Sequence, residues 1–153
     1  MSTQVDRAHL KKLRAVQEQR FLDLHKRSAA AFVDSKKVMH EGVPMSWMAK
    51  WPGAHPLFVK EAKGARFTDL DGHTYVDFCL GDTGSMTGHS PDATVAAIRE
   101  QVGKGITAML PTQDAAIVSQ LLKERFGLPL WQFTVSATDA NRHVIRYSRM
   151  ITG

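Results

Sequence analysis

The sequence predicts an α/β fold: a helical arm, a small antiparallel sheet, and the opening of a larger α/β domain that is left incomplete. Three observations predict it. Apolar residues recur at helical spacing from Arg7 to about Val33, three short β-rich runs lie between Pro56 and Cys79, and helix and strand patterns alternate after Gly81. The chain divides accordingly into an arm (1–36), a loop with the small sheet (37–80) and the start of the larger domain (81–153).

In the arm, Leu10, Leu13, Val16, Phe21, Leu24 and Phe32 fall near one face of a single helix, with charges between them. The stripe is too narrow for an independent core, so the arm is expected to lie on something else, either the rest of the chain or a partner subunit. Between Lys36 and Pro56 the periodicity disappears. The stretch GVPMSWMAKWPGAHP holds three of the six prolines and two of the three tryptophans. Such a segment is too apolar for a linker, and Trp47, Met48 and Trp51 are expected either to pack or to line a pocket.

The strand series reads PLFVKEA, ARFTDL and HTYVDFC. Asp71-Gly72 between the last two is a hairpin turn signal, because Gly accepts a positive φ there, and Lys63-Gly64 marks the turn before. Three short strands need a layer packed against them. Beyond Gly81, Ser90-Pro91-Asp92 predicts a helix start with Ser90 as N-cap, and Gly103 its stop. A second helix is expected from near Thr112 to Phe126-Gly127, then a strand WQFTV, then a third helix from about Asp139. Ala140, Val144, Tyr147 and Ile151 form the apolar face of that helix and Arg142, Arg146 and Arg149 a basic one. Two helices and one strand do not complete a doubly wound sheet, so exposed apolar faces and an open strand edge are expected.

Composition narrows the function classes. At 43% hydrophobic and 23% charged, the 153 residues suit one globular domain. No apolar run approaches the ~18–20 residues of a membrane helix, and the charged N-terminus lacks the apolar centre of a secretory signal. A cytoplasmic setting without a membrane partner is expected. A single cysteine, Cys79, excludes an internal disulfide framework and leaves no CxxC metal signature, so no metal site is expected. The net charge of +5 invites a nucleic-acid reading, but nine of the twenty Lys and Arg precede Val38, mixed with acids along the arm. Phe67, Tyr75 and Phe78 sit at strand spacing and read as core rather than base-stacking platforms. No nucleic-acid partner is expected.

The chemistry is suggested by VSATDANRHVIRYSRMITG, the last nineteen residues. A strand feeding a helix N-terminus presents unpaired N–H groups in one direction, and with the helix dipole these bind an anion. Ser136 and Thr138 add hydroxyls, Ala137 is small, and Asp139 opens the helix. On those residues alone, a plain N-cap is the simpler reading.

Four stretches taken in order change that reading: PLFVKEAKGARFTDLDGHTYVDF, GDTGSMTGHSPDATVAAIREQ, PTQDAAIVSQLLKERFGLP and VSATDANRHVIRYSRMITG. From about residue 40 to 153 the chain resembles the N-terminal part of class III pyridoxal-phosphate aminotransferases, most of all the glutamate-1-semialdehyde aminomutase branch. The resemblance implies the N-terminal portion of a PLP-dependent transferase of fold type I, incomplete. It implies that pyridoxal 5'-phosphate (PLP) is held through its phosphate by Ser136, Ala137 and Thr138. Two positions depart from the family pattern: Ala137 stands for Gly, which matters if the site needs a positive φ, and Asp139 stands for Glu.

On the substrate side the resemblance implies Asp82 and Thr83, where aminomutases place an aromatic residue, against the alternative of a turn-forming Asp. Ser46 and Trp47 lie in a loop similar to a substrate-contacting segment. His89 of the Gly88-His89 pair is implied to be structural. The lysine that anchors PLP is not matched: no Lys follows Thr138, and the ten present lie upstream. The chain is therefore expected to be an N-terminal fragment, inactive by itself. The whole enzyme would exchange an amino group between a small-molecule amino donor and a carbonyl acceptor as a homodimer. The alternative is a non-catalytic truncated paralogue that binds a full-length homologue.

Overall fold

The computed structural model describes residues 6–82 and 84–153. Its elements are helices α1 (Arg7–Leu24) and α2 (Lys26–Ser35), strands β1 (Val59–Lys63), β2 (Arg66–Asp69) and β3 (Thr74–Val76), and helices α3 (Asp92–Val102), α4 (Gln113–Phe126) and α5 (Ala137–Thr152). Two short 3₁₀ turns, His40–Gly42 and Ser46–Lys50, occupy the loop between α2 and β1. The chain forms two compact units, Met1–Gly103 and Lys104–Gly153.

The arm is two helices rather than the single one expected. Asp6 starts α1 by accepting the His9 N–H at 2.9 Å. The helix breaks at His25, whose backbone leaves the helical region (φ −117°, ψ 47°). Asp71, in the turn between β2 and β3, then supplies the cap for α2. Its carboxylate accepts the N–H groups of Arg27 at 2.7 Å and Ser28 at 3.0 Å, and the Ser28 hydroxyl at 2.8 Å. Amides at a helix start have no partner within the helix, so this distant carboxylate fixes where the second helix begins. The expected apolar stripe buries little: Leu10, Leu13 and Val16 of α1 are exposed and only Phe21 is partly covered.

The sheet has the order β1-β2-β3, antiparallel throughout. Phe67 pairs with Tyr75 across β2 and β3, their rings stacked at 5.0 Å, while the Thr68 and Thr74 hydroxyls meet on the neighbouring pair. The last strand stops at Val76, short of Cys79. Asp77 ends it by folding back, its Oδ1 accepting the N–H groups of Cys79 and Leu80, both at 2.9 Å. Phe78 falls beyond the strand and is 95% exposed, so the core reading of that residue is corrected.

Helix α3 begins one residue later than expected. Pro91 is its N-cap residue, and the Ser90 hydroxyl instead donates to the Ala62 carbonyl at 3.1 Å. Lys63 reaches across from β1 to the Ser90 carbonyl and the Asp92 carboxylate. In the second unit, Thr112 precedes α4 and Gly127 closes it in a left-handed conformation. The WQFTV strand does not form. Residues 131–135 take no regular pairing, because a strand exists only against another edge and the described residues of this unit offer none.

The interior of the first unit is polar. Val43 is the one buried hydrophobic residue among those described, beside buried His25, Ser28, His55 and Asp69. Helices α3, α4 and α5 bury no residue.

Candidate functional site

Three sets of chemistry-bearing residues stand out among the described residues, and two of them each gather in one place. The first is the start of α5. Ser136 is the N-cap, its Oγ accepting the Asp139 N–H at 3.1 Å, and Ala140 N–H bonds to the Ser136 carbonyl at 3.0 Å. The amides of Ala137 and Thr138 take no partner among the described residues. They face the end of a sixteen-residue helix whose dipole favours a negative group. The Ser136 hydroxyl retains its hydrogen as a donor, and so does that of Thr138. Ala137 lies within the helix and is absent from the positive-φ residues, so replacing Gly there imposes no strain. All three residues are exposed. This donor set fits a phosphate.

The second place holds the substrate-side candidates. Ser46 opens the 3₁₀ turn Ser46–Lys50 and is exposed; Trp47 beside it donates from Nε1 to Met45 Sδ at 3.2 Å and is also exposed. Asp82 sits in a turn with Leu80 and Gly81, all three at positive φ, its N–H donating to the Cys79 carbonyl at 3.0 Å. Thr83 lies outside the described residues. No hydrogen bond, ion pair or ring contact joins Ser46, Trp47 and Asp82 to one another. Met48 and Trp51, by contrast, line a hollow of about 300 Å³ with Phe32, Lys36, Glu41 and His55. The His55 ring packs on Phe21 at 4.8 Å, and its Nε2 is buried without a hydrogen-bond partner among the described residues.

The third place was not legible as a site in the sequence. His25, from the break between α1 and α2, meets Asp69, His73 and Tyr75 of the hairpin. His25 Nδ1 lies 2.7 Å from the Phe21 carbonyl and Nε2 2.7 Å from the Tyr75 hydroxyl. Asp69 Oδ2 lies 3.0 Å from that hydroxyl, 3.3 Å from His73 Nδ1 and 3.6 Å from His25 Nε2. Its Oδ1 accepts the His73 N–H at 2.8 Å.

Burial opposes the charge on Asp69, yet hydrogen bonds from the His73 amide, the Tyr75 hydroxyl and the His73 ring outweigh it and hold the carboxyl below its usual range. Asp71 behaves alike: burial resists ionisation, and the Arg27 and Ser28 donors overcome it. Tyr75 is pushed up to about 12, first by burial and then by its bond to Asp69. The residues that carry the hairpin resemblance thus each have a structural task. Asp69 and Tyr75 build the cluster and Asp71 caps α2. Asp77 turns the chain and holds His89 at 2.7 Å, which depresses the Asp77 carboxyl. His89 is half-buried and its backbone bridges to Gly64.

Comparison with known proteins finds matches over most of the chain. The class-III aminotransferase profile matches residues 47–152. Glutamate-1-semialdehyde 2,1-aminomutase of Thermoplasma volcanium is 41% identical over 101 residues, 65% of this chain and 24% of that protein. The crystal structure of a glutamate-1-semialdehyde aminomutase from Pseudomonas aeruginosa superposes with a TM-score of 0.91 at 50% identity, over 97% of this chain and 33% of that one. A variant of the same enzyme has been solved in complex with PMP. A β-phenylalanine aminotransferase from Variovorax paradoxus gives a TM-score of 0.84 at 28% identity, over 91% of this chain and 32% of that one. The chain spans between a quarter and a third of the length of these relatives. The arm, the small sheet and the following helices are the N-terminal part of the PLP-dependent transferase fold.

Proposed function

The chain belongs to the class-III aminotransferase family, and from that premise we propose that the protein carrying it is a PLP-dependent aminotransferase or aminomutase. It would move an amino group to or from a small carbonyl substrate. The observation that supports this reading best is that the family match runs through residue 152 and so includes the phosphate-fitting start of α5.

PLP, when bound, supplies the electron-withdrawing ring through which amino groups are exchanged with carbonyls. This chain's part is to hold and orient it. The amides of Ala137 and Thr138 would bind the phosphate along the axis of α5, and the hydroxyls of Ser136 and Thr138 would donate to its outer oxygens. Ser136 does this while still capping the helix, because its oxygen accepts and its hydrogen is free to donate. Asp82, Thr83, Ser46 and Trp47 would face the substrate. None of the ten lysines matches the family's anchoring position, so the 153 residues alone would be inactive, and the anchoring lysine would come from further sequence. The arm (1–36) would embrace the second subunit of a homodimer, next to the loop and sheet (37–80), with the larger domain from residue 81. A cytoplasmic setting follows from the same reading. No helix among the described residues is long and apolar enough to cross a membrane.

The test is a PLP titration of the full-length protein, followed by absorbance. Replacing Ser136 by Ala and Thr138 by Val together should weaken PLP binding at least about tenfold, the effect of losing hydrogen bonds to a charged acceptor. Unchanged affinity would remove these residues from the phosphate site. A full-length protein that takes up no PLP would end the proposal.

A further inference from the structure

The cluster between the arm and the hairpin carries an inference independent of PLP. We propose that His25, Asp69 and His73 form a binding site for one divalent transition-metal ion of the zinc class, which clamps the arm to the sheet. The ligand atoms, His25 Nε2, Asp69 Oδ2 and His73 Nδ1, all lie within 4.8 Å of one another. Two of the three separations are 3.3 and 3.6 Å. Tetrahedral geometry with bonds of ~2.0–2.1 Å sets neighbouring donors about 3.3–3.4 Å apart. The third edge closes by a turn of the His73 ring, which is 37% exposed and so has room to move and an open side for metal entry.

The lone pairs are already set. A carbonyl can only accept, so the 2.7 Å contact with Phe21 O places the His25 hydrogen on Nδ1 and leaves Nε2 as the ligating nitrogen. The His73 amide fixes the Asp69 carboxylate through Oδ1, which leaves Oδ2 for the metal. Tyr75 has one hydroxyl hydrogen and two acceptors, His25 Nε2 at 2.7 Å and Asp69 Oδ2 at 3.0 Å. His73 Nδ1, 3.3 Å from Asp69 Oδ2, supplies the second hydrogen, so all three ligand atoms converge in an interior where His25 is 6% exposed and Asp69 not at all. A metal ion would take the place of the His73 Nδ1 hydrogen, with His73 shifting to its Nε2–H tautomer, and would draw the same three atoms together. Two imidazoles and one carboxylate suit zinc, cobalt or nickel rather than magnesium or calcium.

The experiment is equilibrium dialysis of untagged, chelator-stripped full-length protein against Zn²⁺ near neutral pH, with thermal melts on the same samples. The expected result is one more Zn²⁺ per chain in the wild type than in His73→Ala. Affinity at that site should fall by more than the ~10–100-fold that loss of an outer-sphere partner costs. Zinc should raise the melting temperature of the wild type and not of the variant, and His143→Ala on α5 should behave as wild type. His25 and Asp69 are buried and their loss can unfold the arm, so His73→Ala is the decisive change. Zinc uptake left intact by His73→Ala overturns the proposal, as does a wild type that takes up no zinc.

Discussion

Two carboxylates and one phenol where the arm meets the hairpin contribute to the pH response of this chain. Asp69 and Asp71 are held below the usual carboxylate range in the folded state. The stability each contributes is therefore complete above the ordinary pKa of about 4 and is lost as the pH falls below it. Tyr75 works in the opposite sense. Its folded value of about 12 lies above the ordinary tyrosine value of about 10, so its contribution is present below pH ~10 and disappears as the pH rises towards 12. Stability should form a plateau between these limits. Urea unfolding across pH should show Asp71→Asn costing about 1–2 kcal/mol on the plateau, because the amide keeps one acceptor oxygen where the carboxylate uses two, with a shallower acid limb. Tyr75→Phe should flatten the alkaline limb. An acid limb unchanged in Asp71→Asn would mean that the α2 cap contributes nothing to folding.

Among the elements, the sheet and α4 were readable because turn chemistry announced them. Gly72 accepts φ 93° in the hairpin, and Gly127 closes α4 at φ 73°. The break in the arm was not readable, because its cause lies in Asp71, far along the chain, whereas periodicity reports only local neighbours. The missing WQFTV strand has a similar origin: β propensity describes a residue's fit to a sheet and cannot supply the pairing edge. The Gly88-His89 pair was legible as structural, and its reason is steric. Gly88 has φ 88°, and a Cβ there would sit 3.2 Å from Gly64 Cα, where His89 and Gly64 exchange hydrogen bonds of 2.8 and 2.9 Å. Gly88→Ala should therefore cost on the order of 1–3 kcal/mol and speed amide exchange at Gly64 and His89. Protection equal to wild type would show that the bridge tolerates a side chain.

For the whole molecule, the expectation of exposed apolar faces is met. Ile98 and Val102 of α3, Ile117 and Leu121 of α4, and Val144 and Ile151 of α5 are each more than half exposed. Surfaces of this kind mark places where more protein packs, so the 153-residue chain expressed alone should self-associate. Sedimentation velocity would show a weight-average mass rising with concentration, and a single monomeric boundary at all concentrations would refute it. The proposed phosphate-side residues, Ser136 to Thr138, stood out in the sequence because they are consecutive in front of a helix, and they read as a cofactor cradle rather than a plain cap only through the family resemblance. The His25–Asp69–His73 cluster could not, because the hairpin and the arm meet only in three dimensions.

The cap that Asp71 provides also bears on the order in which the protein assembles. The residue that starts α2 lies 44 positions after Arg27, the first amide it receives. On a ribosome, that helix emerges well before its start signal and has to wait, either frayed or starting elsewhere, until the hairpin turn has been synthesised and closed. Consolidation of the arm should thus be a late event that follows hairpin closure. Pulsed hydrogen exchange during refolding should find the amides of Arg27 and Ser28 protected only after those of β2 and β3, and the reverse order would mean that the arm organises itself.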